Sequence, residues 1–415
     1  MVVLKYLLLL ASFLPLIYLD TGYVFIYIIV VLIMTLTRHL YIFTVFYCLG
    51  TLYYYVNFLS TGSYFLGGGD DELFYDLSLQ YANGEKLSDI KVYSYTYLTS
   101  APYLGYILIQ GVFFKVFVLM GLAPTPFWIL IFKSVTSVFS FGVLMQSFCE
   151  KFRINYDFAI QKLIWFPGVL VTSVFGLRES IALLICMGIF ALSKKLNFFR
   201  IVIIAASTFG LYYVRRNAVI LAIYYLIPLF VRRLSRGLIL KITLVFCFVI
   251  PIAYVLTKLE LGERYLELSI DSSAKNSLGL LLYSTNLLFP LQVLYTYLSP
   301  IPPLFLKNPN VFNFVVMVGD FIKYYYSGIF LLLAFLKWQD LDKKHGLRSL
   351  LSGFFMMLLI VCLTSRDPRH LSFLMPLALL ISINCSNLLG RQFLLRYNAI
   401  FFVGMTSMVA FFILR

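Results

Sequence analysis

Charge is what this chain has least of. Only 12% of its 415 residues are Asp, Glu, Lys or Arg, against about 25% in an average soluble domain. Just 18 are acidic. No stretch is long and polar enough to form a separate soluble domain. The six cysteines (Cys48, Cys149, Cys186, Cys247, Cys362 and Cys385) stand singly, with no CxxC and no Cys/His cluster. That pattern offers neither a zinc site nor a disulfide framework. A Walker A lysine loop, GxSxG, HExxH and a GxGxxG after a strand are all missing, which sets aside nucleotide hydrolysis and serine or zinc hydrolysis. No pair of short interrupted helices repeats in two halves, and this weakens a transporter reading.

What fills the chain instead is apolar. Hydrophobic residues make up 61% and the mean hydropathy is +0.92. Apolar runs recur along the whole length, many close to the ~20 residues a bilayer-spanning helix needs. The fold class is all-α, a polytopic transmembrane helical bundle of about 11 to 14 spans forming a single domain over residues 1–415. The run Tyr6–Leu19 has one basic residue ahead of it, Lys5, and no small-residue cleavage site, so it reads as a retained helix rather than a signal peptide.

Candidate spans are 3–19, 22–37, 40–58, 126–147, 158–175, 180–193, 199–214, 218–231, 238–256, 312–335, 350–364, 372–388 and 399–414. The net charge of +15 is topological in such a chain, with Lys and Arg retained in the cytoplasm, and does not point to nucleic acid. Basic clusters lie at Lys151–Arg153, Lys194–Arg200, Arg232–Arg236, Lys337–Arg348 and Arg391–Arg396. Placing them all inside puts the 59–103 loop and the turns at 176–179, 215–217 and 365–371 outside. Two apolar pieces, Leu104–Leu122 and Leu280–Pro300, would break the alternation as single spans. They are expected to be hairpins, re-entrant segments or helices on the outer interface. The second lies in a large external or re-entrant segment, 257–311, whose "SPIPP" prolines bar a continuous helix.

The scarce charge is concentrated. Residues 59–103 hold six of the 18 acidic residues against two lysines, a net charge of −4. "GGGDDELFYD" places Asp70, Asp71, Glu72 and Asp76 at the start of an external juxtamembrane helix. Its apolar residues Leu73, Leu77 and Tyr81 would rest on the membrane. There a carboxylate could act as a general base on a hydroxyl arriving at the bilayer surface. The plain alternative is a solvated helix N-terminus, where the dipole favours carboxylates.

Cations meet these carboxylates on the same side: Arg178 and Glu179 in "FGLRES", Arg215 and Arg216 in "YYVRRNA", and Arg366, Arg369 and His370 in "SRDPRH". Arginine's planar fork suits phosphate, and external basic residues run against the positive-inside rule. The arrangement fits a site for an anionic ligand. Local ion pairs, snorkelling arginines or a loop placed on the wrong side remain the plain alternatives. Asp320 and Lys323, three apart within one span, are expected to pair with each other. The aromatic stretch "YSYTYLTSAPYLGY" offers faces on which a sugar could stack.

"GDDELFYDLSLQYANGE", "PYLGYILIQGVFFKVFVLMGL", "FPGVLVTSVFGLRESIALL" and "RDPRHLSFLMPLALLI", in that order over about residues 60–390, resemble GT-C type membrane glycosyltransferases. The chain is also similar to the Wzy-like polymerases of O-antigen and capsule assembly. The resemblance implies inverting glycosyl transfer at the outer face of the bacterial inner membrane. The donor would be a saccharide on polyprenyl phosphate or diphosphate, the acceptor another saccharide, and polysaccharide assembly proteins the further partners. By position, Asp70, Asp71 or Glu72 becomes the base, and Arg178, Glu179, Arg215, Arg216, Arg366, Arg369 and His370 form the donor-binding set. The family's Asp-Glu pair meets Asp-Asp-Glu here, so which carboxylate aligns stays open. No cofactor is required. A divalent cation is compatible but not needed, since arginines can neutralise the leaving phosphate. The alternatives are a transporter or flippase of a lipid-linked saccharide and a scaffold subunit of a polysaccharide assembly.

Overall fold

The computed structural model describes residues 21–65, 70–91, 97–164, 178–192, 197–215, 310–345 and 375–413. It adds short pieces at 218–219, 222, 297–298, 347, 351, 354–355 and 358. These residues are helical, with no strand among them. The expected spans 3–19, 218–231 and 238–256, most of 350–364, and the 257–311 segment lie largely outside the described residues.

The elements follow the apolar runs. Helices α1 (Thr21–Leu36) and α2 (Leu40–Thr61) come first. Gly62, at φ 74°, ends α2 in the left-handed conformation that side chains resist. The acidic helix α3 (Asp70–Ala82) and the long α4 (Tyr97–Leu119) follow. Helix α5 (Phe127–Ser137) begins right after Pro126 and passes through a π-helical segment (Val138–Leu144) into α6 (Met145–Phe152). Next come α7 (Tyr156–Leu163), α8 (Glu179–Leu192) and α9 (Phe198–Val214). The side chain of Asn155 caps α7 by accepting from Phe158 N, and that of Asn197 caps α9 by accepting from Arg200 N. The last elements are α10 (Val311–Leu336), α11 (Trp338–His345), α12 (Met375–Cys385) and α13 (Arg391–Ile413).

Among the described residues four helices are long and apolar enough to cross a membrane: Leu40–Thr61, Phe127–Phe152, Asn313–Leu336 and Arg391–Ala410. Five shorter apolar helices accompany them. Large apolar side chains stand open on the outside of the bundle, including Leu32, Leu36, Phe198, Ile400 and Phe402. In lipid these faces need no protein partner.

Three boundaries differ from the sequence expectation. Of the alternatives for Leu104–Leu122 the hairpin is excluded, because a single helix runs unbroken from Tyr97 to Leu119 and so begins seven residues earlier than expected. Its two interior glycines are packing sites rather than breaks. The span expected to stop at 147 continues to Phe152, with the basic cluster forming its last turn and its αL cap at Arg153. The last span, expected to begin at 399, starts at Arg391, so the cluster Arg391–Arg396 opens α13.

Helix α3 lies along α4, α4 lies against α9, α2 packs on α5, and α8 packs on α9. The α4–α9 contact depends on Gly105, where a Cβ would come within 2.8 Å of the Tyr213 Cβ and carbonyl carbon. Backbone cannot yield there as a flexible side chain would. Gly105→Ala is therefore expected to destabilise the protein by ~1–3 kcal/mol, the range for overpacking. Gly210→Ala, in open space on α9, should be neutral or slightly stabilising. Melting both variants in detergent checks the contrast.

Candidate active site

Four carboxylates crowd α3, and the helix sorts them by orientation. Asp71 shares a stripe with Phe74, Tyr75 and Ser78, all buried and spaced i, i+3, i+4 and i+7. It is only 5% exposed. The Tyr53 hydroxyl, from α2, donates to its Oδ2 at 3.4 Å. Glu72 turns to a half-buried position and Asp76 to the surface. There partial desolvation, followed by the charge of Glu72 one turn back, lifts the Asp76 carboxyl above its ordinary range. Asp70 supplies the first residue of the helix. The inward stripe thus starts at Asp71, whereas Leu73 and Tyr81 of the expected apolar face are only half-buried.

The Arg-Glu turn meets this helix. Arg178 immediately precedes α8, and its guanidinium carbon lies 4.1 Å from the centre of the Tyr103 ring and 5.4 Å from that of Phe74. Those rings stack on each other across α3 and α4, with centroids 6.1 Å apart. Arg178 Nη1 also donates to the Val214 carbonyl at 3.5 Å. The result is a half-buried arginine lying on a two-ring platform. Its charge reaches the buried Tyr106 hydroxyl, and so does that of Asp71. Acidic helix and arginine turn therefore act on one shared phenol.

Glu179 and Arg215 behave differently. Both are buried, at 7% and 6% exposure, and they form a salt bridge with each other. Glu179 also opens α8, where the helix dipole favours a carboxylate. The pair fastens the start of α8 to the end of α9.

One participant is absent from the sequence-derived set. Lys133 of α5 is fully buried. Its ammonium donates to Ser180 Oγ at 2.7 Å and lies 5.6 Å from the Tyr106 ring centre. It is within electrostatic reach of Asp71. The only cue in the sequence is a single cation in the apolar stretch "FWILIFKSVTS". Asp71, Arg178, Glu179 and Arg215 are thus brought to one end of the bundle, around Lys133 and tyrosines from α2 and α4. Arg216, Arg366, Arg369 and His370 lie outside the described residues. Lys151 and Arg153 sit at the far end of α5–α6, about 30 Å along the axis from Lys133 at 1.5 Å per residue.

No family model matches the chain, and neither does any curated protein or solved structure. The geometry alone supports what can be said of the chemistry. A carboxylate held at the inner edge of a pair of tyrosines can take a proton from a bound hydroxyl. A half-buried arginine on an aromatic platform can hold an anionic oxygen pair bidentately. Among the described residues no three His, Cys, Asp or Glu side chains gather as a metal site.

Asp320 and Lys323 are buried within α10, away from water. Each feels the other's charge, as their spacing on the helix requires.

Proposed function

We propose that this chain is a multi-pass membrane glycosyltransferase of GT-C-like architecture. It acts in bacterial surface polysaccharide assembly, O-antigen or capsule, at the outer face of the inner membrane. The supporting observation is the convergence of Asp71 and Arg178 on the Tyr103–Tyr106 face of α4. In this reading Asp71 is the base and Arg178 the phosphate ligand. The donor is a saccharide on polyprenyl phosphate or diphosphate, and the acceptor is a saccharide hydroxyl. The acceptor oxygen bonds to C1 of the donor sugar as the C1–O bond to phosphate breaks. The bond's electron pair leaves with the phosphate, which Arg178 holds, and Asp71 takes the hydroxyl proton. One displacement without a covalent intermediate inverts the anomeric centre.

Surface polysaccharide from a deletion strain, run on a gel, tests the reading. A long ladder collapsing to one repeat unit marks a polymerase. A changed epitope on an intact ladder marks a transferase of single sugars. An unchanged profile contradicts both.

A transporter reading gains some support from Asp320 and Lys323, since buried charge inside a span often marks a path. Sidedness is separable from chemistry. A cysteine at Ser63, in a background without native cysteines, is expected to react with an impermeant thiol reagent from outside. One at Glu150, exposed near the far end of α6, should be protected until the membrane is opened. The reverse pattern would place the site in the cytoplasm.

A further inference from the structure

Arg178 carries its guanidinium on a long stem, and ordering such a side chain at the moment of binding weakens the complex. Contacts that hold it beforehand remove that cost. Two of them reach the guanidinium itself. From α4, the Tyr103 ring lies 4.1 Å from the guanidinium carbon. A ring attracts a cation through its face and takes up none of the N–H groups that would meet a phosphate. From α9, the Val214 carbonyl accepts from Nη1 at a long 3.5 Å. The next residue on each side repeats the link. Glu179 follows Arg178, Arg215 follows Val214, and those two form the buried salt bridge. Two neighbours at the start of α8 thus engage two neighbours at the end of α9.

Helix α9 is set against α4 at the same level. Tyr213, one residue before Val214, is what a Cβ on Gly105 would strike, and Gly105 lies two residues from Tyr103. The contacts therefore close a ring. Tyr103 meets Arg178, Arg178 and Glu179 meet Val214 and Arg215, and Tyr213 returns to Gly105. The salt bridge is its firmest link, since both charges are buried and removing either strands the other. The proposed transfer gives the bridge no part of its own. We infer that Tyr103 and the Glu179–Arg215 bridge are positioning groups for Arg178: the ring seats the guanidinium, and the bridge fixes the α8–α9 junction from which it reaches. The inference rests on Arg178 being the phosphate ligand of the proposed transfer. Both groups act through Arg178 rather than on the substrate.

Two variants of the full-length protein in detergent test the frame. Tyr103→Leu removes the ring and leaves the bridge. Glu179→Gln with Arg215→Met removes the bridge without stranding a charge, so the fold should be kept. Affinity for polyprenyl diphosphate is expected to fall by about 2- to 30-fold in Tyr103→Leu, the range that a cation–π contact spans. Tyr103→Phe, which keeps a ring face, should recover most of that loss. The variant without the bridge should also bind more weakly, although it regains most of its melting temperature. Normal affinity beside regained stability would make the bridge purely structural and overturn its part. Arg178 can also be followed without any ligand. Phenylglyoxal modifies arginine, and peptide mass spectrometry reads the reaction at Arg178 alone. The reaction should be slow in the unmodified protein and several-fold faster in both variants. Equal rates in all three would overturn the inference. Weaker binding by Tyr103→Leu with an unchanged rate at Arg178 would mean that the ring meets the ligand directly, which contradicts the seat. Should the unmodified protein bind no polyprenyl diphosphate, the proposed function fails, while the rates at Arg178 still decide whether ring and bridge hold it.

Discussion

Asp71→Asn is expected to lower glycosyl transfer by ~10²–10⁴-fold, the contribution of a positioned general base, while donor binding stays near normal. Glu72→Gln, on the neighbouring half-buried position, should change turnover little. The contrast follows from orientation, since a helix rotates adjacent residues about 100° apart. Of the two, Asp71 falls on the buried stripe and meets Tyr53, whereas Glu72 does not share that stripe. Asparagine preserves the shape and can still accept from Tyr53, so the fold should survive. Turnover and lipid-linked donor affinity, measured separately on both variants, check the assignment. Equal losses for Asp71→Asn and Glu72→Gln would contradict it.

The second large effect separates the two arginines. Arg215→Ala leaves Glu179 buried without its partner, and breaking a buried pair costs ~3–5 kcal/mol. That is a large share of a typical folding free energy of about 5–15 kcal/mol, so the variant should melt far earlier or fail to accumulate. Replacing both residues, Glu179→Gln with Arg215→Met, should recover much of the stability, since the stranded charge is then gone. Arg178→Ala should behave in the opposite way. Arg178 lies half-buried on the Tyr103 and Phe74 ring faces, with one hydrogen bond to the Val214 carbonyl. Its removal should leave the fold standing and weaken donor binding by about 10- to 150-fold, equivalent to a charge-assisted hydrogen bond of ~1.5–3 kcal/mol. Thermal melts beside donor titrations distinguish the two outcomes. Matching behaviour of Arg178→Ala and Arg215→Ala would mean both arginines only hold the fold.

Much of this architecture is legible in the residues. Asn197 and Asn310 announce helix starts, and the apolar runs after them give the lengths of α9 and α10. The grouping of the acidic loop with the turns at Arg178 and Arg215 follows from placing basic clusters on one side. The inner arrangement is harder to read. The face of α3 was obscured because both of its faces carry apolar residues: Leu73, Leu77 and Tyr81 on one, Phe74 and Tyr75 on the other. Counting i, i+3, i+4 and i+7 from Asp71 does pick out the buried stripe. Glu179 and Arg215 read as two ligands because sequence spacing says nothing of contact between residues on different helices. Lys133 is silent for a related reason. One lysine in an apolar run gains meaning only when packing sets Ser180 and the Tyr106 ring beside it. Charge alternation leaves Leu104–Leu122 open between a hairpin, a re-entrant segment and an interfacial helix, and cannot point to Gly105 and Gly111 as packing sites. They are the places where Tyr213 and Tyr81 come closest.

The most direct test of the central claim uses purified protein in liposomes with a labelled saccharide on polyprenyl diphosphate and a saccharide acceptor. The account predicts a new glycosidic bond and released polyprenyl diphosphate, both lost with Asp71→Asn. Movement of the labelled lipid across the bilayer with no new bond formed would contradict it.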